Sequence, residues 1–472
     1  MASIEDEDQI RVLSFNCWGL KYVARNRVER LRAIADKLST APYDVICLQE
    51  LWVSADYQLL HLKLTPSLPF AKFFYTGALG SGLAIFSRYP ILGTRTHTYS
   101  LNGPPINVAA GDWIVGKGAV SVLLSHPILH RVEVFNTHMV AYGGDDGPEV
   151  QRAHRIVGAW ELARLIRDSA ALGRYVIAVG DFNSVPSSVV MSIIRDHAGL
   201  SDAWMASHDT GHLPTTELVQ SPHHALLHFG VTADSPLNTY TAGKRLETTA
   251  RRGLGKRLDY IFYRGPSPRP PLNGNEHQPV LSCTESQVAM TGRIPGHDIS
   301  FSDHFGIEAT LRIRTAPTPT LSTPLPAAPS VWDTEPSTPT TINTHSGPSS
   351  AHITDQTLST IRQILVSAYR IARFRARQQL TVFALCLTAD ILLFLVSIWQ
   401  PLRVANPAFV FCAAVLTWLG TTMLYSGFIY GRWEANALMT VIEELELFSR
   451  YPPSDDDRHG GVLGQGARYA GT

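Results

Sequence analysis

The sequence lacks an excess of charge of either sign. Its 472 residues include 40 Lys and Arg and 40 Asp and Glu, so the formal net charge is zero. Proteins that are dedicated to binding nucleic acid usually carry a basic excess or a basic stripe. The charge balance therefore argues against a dedicated nucleic-acid-binding protein.

The usual features of a secreted protein are also missing. Five cysteines occur with neither paired spacing nor the spacing of metal ligands, namely Cys17, Cys47, Cys283, Cys386 and Cys412. Residues 1–15 are acidic and then strand-like, without the basic flank and apolar core of a signal peptide. We therefore expect packing cysteines in a reducing compartment, and no secretion through a cleaved signal.

What the sequence does contain is a long globular segment in which strand-like and helical patterns alternate. The predicted strands are residues 10–16, 44–49, 83–87, 119–124, 132–137, 176–179, 259–263 and 306–313. The predicted helices are residues 27–38 and 149–169. Some neighbouring strands are joined by connections too short for a crossover helix. These patterns predict an α+β catalytic domain over residues 1–314, with two sheets packed face to face and helices outside.

The composition changes after residue 314. Residues 315–352 are rich in Pro, Ser and Thr and cannot bury enough apolar surface to fold, which predicts a disordered linker. A linker of that length would reach roughly 30 Å as a loose chain. A juxtamembrane helix with a basic end is predicted over residues 353–379.

Two apolar runs follow, at residues 380–399 and 407–431. Each is long enough to cross a hydrocarbon core of ~30 Å, which takes ~20 helical residues. They predict a two-helix transmembrane hairpin, followed over residues 432–472 by a cytosolic helix and a disordered tail. The alternative is a buried helical hairpin within a soluble domain. Asp390 lies in the first run, and we expect its carboxylate to face Thr417, Thr421 or Thr422 of the partner helix rather than lipid.

Arginines predict the orientation of the hairpin. Four precede the first span between residues 370 and 377, Arg432 follows the second, and the connecting loop carries only Arg403. The positive-inside rule then places both flanks and the catalytic domain in the cytosol. An endoplasmic reticulum membrane is expected, with the mitochondrial outer membrane as the alternative. The basic flank also makes anionic phospholipid a candidate activator.

Polar side chains occur where predicted strands end. Asp181 and Asn183 follow the strand at 176–179, and alternation points both side chains to the same side of an extended chain. A hard cation prefers such oxygen ligands, although an Asp and an Asn capping a turn is the plain structural alternative. Asp259 begins another apolar strand, and there we expect a structural partner for Arg257 or for another buried donor.

Other strand ends carry related chemistry. Asn16, Glu50 and His138 each close a strand-like run, and a carboxylate directly after an apolar run needs a partner. Asp303 and His304 are adjacent, just before the last predicted strand. In a loop, that carboxylate can set the tautomer of the imidazole or reach the site it serves.

In chain order, the motifs Asn, Glu, NTH, GDFN, LDYI and SDH at strand ends resemble those of the endonuclease/exonuclease/phosphatase superfamily, over roughly residues 10–314. The resemblance implies a four-layer α/β sandwich, like that of DNase I, with a Mg²⁺ site at one edge of two facing sheets. Members of this superfamily cut phosphate esters, including DNA backbones, inositol phosphates and sphingolipid headgroups.

The same resemblance implies which residues bind the metal and the water. Glu50 would be the main Mg²⁺ ligand, with Asn16 in support. Asp181 and Asn183 would hold the nucleophilic water and the transition state.

It also implies the roles of two imidazoles. His304 would be the general base, with Asp303 as its neighbour in the site. His138 would be the second imidazole, which contacts the substrate, and either His138 or a metal-bound water would protonate the departing alkoxide.

The stretch GDWIVGKG at residues 111–118 has the GxxxxGK spacing of a nucleotide-binding loop but ends in Gly118 instead of Ser or Thr. No following helix is evident, so a nucleotide site is not predicted. The stretch resembles a loop of neutral sphingomyelinases. In that reading Lys117 binds the substrate phosphate, and Asp112 engages Lys117 or a site histidine in an off state. A glycine-rich structural hairpin remains the alternative.

Together with the hairpin, this loop resembles the neutral sphingomyelinase branch and is most similar to the fungal inositol phosphosphingolipid phospholipase C type. The implied activity is that of a Mg²⁺-dependent phosphoric diester hydrolase that releases ceramide and either phosphoinositol or phosphocholine. A membrane-anchored endonuclease, an inositol phosphate phosphatase and an inactive membrane scaffold are the alternatives.

Overall fold

The computed structural model describes residues 8–78, 80, 82–107, 111–141, 147–208, 219–267, 278–314, 353–401 and 403–450. The predicted linker at 315–352 and the tail at 451–472 lie outside these described residues.

Two six-stranded sheets form the core of the catalytic domain. The first contains β1 (Gln9–Asn16), β2 (Val45–Gln49), β3 (Phe70–Phe73), β4 (Ala84–Ser87), β11 (Val280–Ala289) and β12 (Gly306–Arg314). Its strand order is β11-β12-β1-β2-β4-β3. The second contains β5 (Ile91–Thr98), β6 (Gly118–His126), β7 (His130–His138), β8 (Tyr175–Asp181), β9 (Ser201–Asp202) and β10 (Asp259–Arg264). Its order is β5-β6-β7-β8-β10-β9.

Helices cover the outer faces of both sheets: α1 (Arg27–Ser39) and α2 (Ser54–Leu64) pack on the first sheet, and α4 (Glu149–Ala171) and α5 (Val189–Ser192) on the second. Shorter helices lie in the connections, namely α3 (Asp112–Val115), α6 (Ala203–Ser207), α7 (Pro222–Phe229) and α8 (Thr248–Arg252). The pairs β1–β2 and β7–β8 are parallel, and α1 and α4 respectively connect them. Apolar side chains of the two sheets meet between them, for example Val12 and Val45 against Val134 and Ile177. The predicted α+β sandwich is confirmed.

All eight predicted strands are present, and four further strands were missed. Two of the missed strands, β5 and β11, lie at sheet edges and expose polar side chains on both faces. They therefore lack the apolar alternation that marks a half-buried strand. The other two, β3 and β9, have only four and two residues.

The C-terminal segment packs on the catalytic domain through its helices. A single helix, α9 (Asp355–Trp399), contains both the predicted juxtamembrane helix and the first predicted span. The second span is α10 (Asn406–Leu424), which continues through a wider turn at Tyr425–Tyr430 into α11 (Gly431–Arg450). The first half of α9 and the apolar face of α11 belong to the same buried cluster as α4, through Ile361, Leu365, Leu438 and Leu445.

This packing was not predicted from the sequence. A linker at 315–352, outside the described residues, was expected to connect the catalytic domain to the hairpin, and a shared apolar core also joins the two directly. The helical pattern from residue 353 was visible in the sequence, but the surface that covers this helix was not.

The apolar part of the hairpin is exposed, and by length and composition each of its two helical arms can cross a membrane. Thr417 donates a hydrogen bond to Asp390 at 2.9 Å, which confirms the expectation that this carboxylate faces the partner helix. At the end of the second predicted span the chain approaches α9 closely, because Gly427 and Gly431 lie against Ala376. A Cβ atom on Gly431 would come within 2.6 Å of the Cβ of Ala376. Small residues allow this kind of close helix contact.

Candidate active site

Strand register brings the predicted site residues to one end of the sandwich. In the first sheet, Asn16 at the end of β1 pairs with the last residue of β2, which places it beside Glu50. In the second sheet, His138 at the end of β7 pairs with Asp181 at the end of β8, and Asp259 at the start of β10 pairs with Asp181 from the other side. The two sheet ends face each other, so residues far apart in sequence meet.

Asn16 joins the two sheets in this region. Its Nδ2 donates to Glu50 Oε1 at 3.1 Å and to Asp181 Oδ2 at 3.0 Å. Its Oδ1 accepts a hydrogen bond from the backbone N–H of Trp18 at 3.0 Å, which fixes the carboxamide. Glu50 has a positive φ of 56°, a backbone conformation that non-glycine residues seldom adopt. Such strain is found at functional sites, where surrounding structure holds it in place.

His304 occupies one side of Asp181. Its Nδ1 is 2.8 Å from Asp259 Oδ2, and its Nε2 is 4.0 Å from Asp181 Oδ2. Burial alone would lower the pKa of His304, but the charges of Asp259 and Asp181 and the hydrogen bond to Asp259 outweigh it and raise the pKa well above its ordinary value. The carboxylates around this imidazole therefore favour its protonated form.

The structure identifies which acid holds the His304 ring. Asp303 does not hold it: the Asp303 carboxylate lies 3.4 Å from Lys244 and acts on His304 through its charge. Asp259 holds it, so of the two partners expected for Asp259, Arg257 or another buried donor, the second is the one observed. Arg257 pairs with Asp202 at 3.1 Å.

Asp259 thus lies in the candidate site, although the sequence reasoning gave it a structural role. The available signal was an acid at the first position of an apolar strand, and that strand runs antiparallel to the one ending in Asp181. The pairing of the two strands, which single-sequence patterns do not reveal, decides its role.

His138 occupies the other side of Asp181. Its Nε2 is 2.6 Å from Lys117 Nζ and 3.5 Å from Asp181 Oδ2. Burial, the Lys117 charge and the His304 charge all lower the pKa of His138 well below its ordinary value. A neutral imidazole that accepts a hydrogen bond from the Lys117 ammonium at Nε2 carries its proton on Nδ1.

The glycine-rich stretch ahead of β6 places Lys117. The short helix α3 begins at Asp112, and Gly116 takes a left-handed conformation before Lys117. Lys117 lies 3.5 Å from Asp112, and both side chains are buried. A strand follows instead of a long helix, which agrees with the rejection of a nucleotide-binding loop.

Asn183 lies next to the site on the turn after β8. Its backbone N–H donates to Asp181 Oδ1 at 2.9 Å, and its Nδ2 donates to the carbonyl of Met139 at 3.0 Å. Its φ is 47°. These bonds orient the Asp181 carboxylate and tie the turn after β8 to the end of β7.

The donor set fits a divalent cation. Glu50, Asp181 and Asp259 supply carboxylate oxygens, the ligands that Mg²⁺ prefers. Burial, and then the charge of Asp259, raise the pKa of Asp181 to about 7, although His304 and Lys117 act in the opposite direction. Ligand atoms of Asp181, Asp259 and His304 also lie within 4.8 Å of one another. A cation beside Glu50 and Asp181 would balance these charges.

Known proteins resemble the chain both in this domain and beyond it. A model of the "Endonuclease/Exonuclease/phosphatase family" matches residues 13–304. The "Inositol phosphosphingolipids phospholipase C" of Schizosaccharomyces pombe is 32% identical, and the match covers 94% of this chain and 95% of the relative. The protein of that name in Saccharomyces cerevisiae is 35% identical over 64% of each chain. Human "Sphingomyelin phosphodiesterase 2" is 31% identical over 66% of each chain.

Proposed function

The chain belongs to the endonuclease/exonuclease/phosphatase family, and from this premise we propose that it is a Mg²⁺-dependent sphingolipid phospholipase C. The proposed reaction is hydrolysis of an inositol phosphosphingolipid or of sphingomyelin to ceramide and a phosphorylated headgroup. The observation that carries the proposal is the row formed by Asp259, His304 and Asp181 in a chain that is similar to a named phospholipase C over 94% of its length.

The chemistry assigned to His304 is proton transfer from the attacking water. The Nδ1–H of His304 donates to Asp259, so the ring is fixed with Nε2 towards Asp181. Asp181, oriented by Asn183, holds the water next to that nitrogen. As the water oxygen bonds to phosphorus, its proton passes to Nε2, and the bond from phosphorus to the ceramide oxygen breaks; solvent water protonates the departing oxygen, and His304 returns its proton to solvent.

A Mg²⁺ ion held by Glu50 with Asn16 in support would neutralise phosphate oxygens and lower the pKa of a bound water. Asn16 spans the carboxylates of Glu50 and Asp181 and so sets their separation. The high pKa of His304 depends on the carboxylate charges around it. Positive charge near Asp181 would oppose that effect and bring the imidazole towards the neutral form a base requires.

Lys117 and His138 are assigned to the substrate phosphate. The Lys117 ammonium is buried and lies 3.5 Å from Asp112, which orients it. Because His138 Nε2 accepts from Lys117, this nitrogen has no proton to give in the arrangement seen here. We therefore assign His138 to orienting Lys117 and contacting the phosphate, and not to protonating the ceramide oxygen.

The membrane hairpin supports a lipid substrate. A ceramide-based lipid stays in the bilayer, and a hairpin fixed to the catalytic domain keeps the site at high local concentration over it. We place the catalytic domain on the cytosolic side, in the endoplasmic reticulum membrane, with the mitochondrial outer membrane as the alternative. Anionic phospholipid is the proposed activator, through the arginines between residues 370 and 377.

The test uses the purified full-length protein in detergent micelles with Mg²⁺, offered sphingomyelin, inositol phosphoceramide, phosphatidylcholine and abasic DNA in parallel. We expect release of ceramide, its loss on chelation, and its return when Mg²⁺ is added back. Turnover of DNA without release of ceramide would overturn the proposal in favour of a membrane-anchored nuclease. Release of inorganic phosphate from inositol phosphates alone would favour the phosphatase alternative.

A further inference from the structure

Two fully buried polar side chains outside the proposed chemistry join the catalytic domain to the hairpin. His154 lies on α4 and Glu434 lies on α11, and His154 Nε2 is 3.0 Å from Glu434 Oε1. Both side chains are 0% exposed. The other oxygen of Glu434 contacts Arg375 of α9. A buried carboxylate is costly unless it is paired, and here two helices supply the partners.

The second nitrogen of His154 defines the state of the ring. The backbone N–H of Gly103 donates to Nδ1 at 3.1 Å, so Nδ1 carries no proton. The proton is on Nε2 and is donated to Glu434. His154 is therefore a neutral imidazole in one tautomer, and Arg375 balances the charge of Glu434. Burial opposes this charge, but the His154 hydrogen bond and Arg375 together keep the pKa of Glu434 below its ordinary value.

The hairpin holds the segment around Gly103 at two further points. The hydroxyl of Tyr430 donates to the carbonyl of Gly103 at 2.9 Å. The indole N–H of Trp433 donates to the carbonyl of Ser100 at 2.8 Å. Both groups belong to the end of the hairpin that enters α11. The backbone at 99–103 is therefore fixed from the hairpin side.

On its other side the same segment contacts the active site. The backbone N–H of Tyr99 donates to the carbonyl of Lys117 at 3.1 Å. The hydroxyl of Tyr99 is 2.6 Å from that of Thr137, the residue before His138. Gly103 has a φ of +81°, and a Cβ atom there would lie 3.8 Å from the Cβ of Asp112.

We propose that His154 and Glu434 are positioning residues: the imidazole, fixed by a carboxylate of the hairpin, holds Gly103 and the segment 99–103, which in turn keeps Lys117 beside His138. This inference rests on the proposed function only in naming the reaction that Lys117 serves. It makes the docked hairpin part of the active-site architecture as well as a membrane anchor.

The first test measures kcat and KM of the full-length protein in mixed micelles of detergent and sphingolipid. Misplacing a catalytic group by about 1 Å costs about 100-fold, so we expect His154→Ala to lower kcat about tenfold to 100-fold with KM within about twofold. His154→Asn keeps an acceptor near the position of Nδ1 and should recover part of kcat. The matched control is Glu444→Gln, which alters another α11 contact, to Trp160 and Arg164 of α4, away from the segment. We expect the control to stay within about twofold of the unaltered protein.

The second test follows amide hydrogen exchange of the peptide 99–107 without substrate. Losing a buried hydrogen bond makes local opening of the segment easier, so His154→Ala should speed exchange there about tenfold, and Glu444→Gln should not. Where His154→Ala does not fold, Tyr430→Phe removes only the bond to Gly103 and should raise exchange in the same peptide. Unchanged exchange at 99–107 in the folded variants, or a loss of activity confined to KM, would overturn the proposal. Faster exchange in a protein that cleaves no sphingolipid would instead refute the proposed function and leave the positioning role standing.

Discussion

A histidine lies on each side of Asp181, and the pKa values of the two rings are shifted in opposite directions. His304 is surrounded by Asp259 and Asp181, which raise its pKa, whereas His138 is buried against Lys117, which lowers its pKa. Both rings lie within about 4 Å of the same carboxylate oxygen, at 4.0 Å and 3.5 Å. The comparison teaches that the neighbours of each ring, more than the residue type, set the direction of its pKa shift, which is the basis for proposing proton transfer at His304 and phosphate contact at His138.

The largest effect should come from removing Glu50, the carboxylate proposed to hold the cation. Glu50→Ala is expected to abolish both Mg²⁺ binding and turnover, by about 10³-fold or more, since a bound cation contributes several kcal/mol of charge stabilisation. Calorimetry with Mg²⁺ and a ceramide-release assay measure the two losses. Retained Mg²⁺ affinity in this variant would show that the cation lies elsewhere.

The next effect tests the His304 side alone. His304→Ala should lower turnover about 10²–10⁴-fold, the usual contribution of a positioned acid or base, and leave Mg²⁺ binding intact. Asp259→Asn should produce a smaller loss by releasing the fixed tautomer. Asp298→Asn is the control, because Asp298 is 95% exposed and pairs with Arg293. Normal turnover in His304→Ala would remove the distinction between the two sides.

A smaller effect tests the His138 side. Lys117→Met keeps the length of the side chain but removes its charge, and hydrogen bonds to charged groups contribute about 1.5–3 kcal/mol, so turnover should fall about tenfold to 100-fold. Lys63→Met serves as the control, since Lys63 is on the surface and pairs with Asp36. If the two variants behave alike, Lys117 does not contact the phosphate.

The smallest effect concerns His126, a histidine outside the candidate site that serves as a reference for the pKa shifts of His304 and His138. His126 lies at the end of β6, its Nδ1 accepts from the N–H groups of Ile128 and Leu129, and burial and then Arg88 lower its pKa to about 4. The unfolded chain takes up this proton near pH 6.5, so the stability that neutral His126 contributes is full above pH 6.5 and is lost as pH falls towards 4.

His126→Asn keeps an acceptor for the two N–H groups but cannot titrate. Between pH 7 and pH 5, the free energy of unfolding should fall by about 1–2 kcal/mol less in this variant than in the unaltered protein. Denaturant unfolding at the two pH values measures the difference. Equal losses in the two proteins would mean that the ring is not held neutral.

Sequence patterns predicted the strands that are apolar on at least one face and the polar residues at their ends. They predicted the α+β sandwich, and the family resemblance implied that Asn16, Glu50, His138, Asp181 and His304 share one site. The patterns left the partner of Asp259 open and gave it a structural role, because its place beside His304 depends on the antiparallel pairing of β10 with β8. Edge strands such as β5 escaped detection because polar residues occupy both of their faces.

The contact of His154 with Glu434 was equally out of reach of sequence patterns. It joins residues 280 positions apart, on helices whose apolar faces cover each other. Each face alone is compatible with many partners, so only the packed structure identifies the pair.

The shared core of α4, α9 and α11 has a consequence for the release of the catalytic domain from a membrane by proteolysis. A protease that cuts between residues 314 and 353 would break the covalent link between the catalytic domain and the hairpin, but it would not break the apolar contacts among these three helices. We expect the nicked enzyme to sediment with membranes and to leave them only when detergent or denaturant separates the helices.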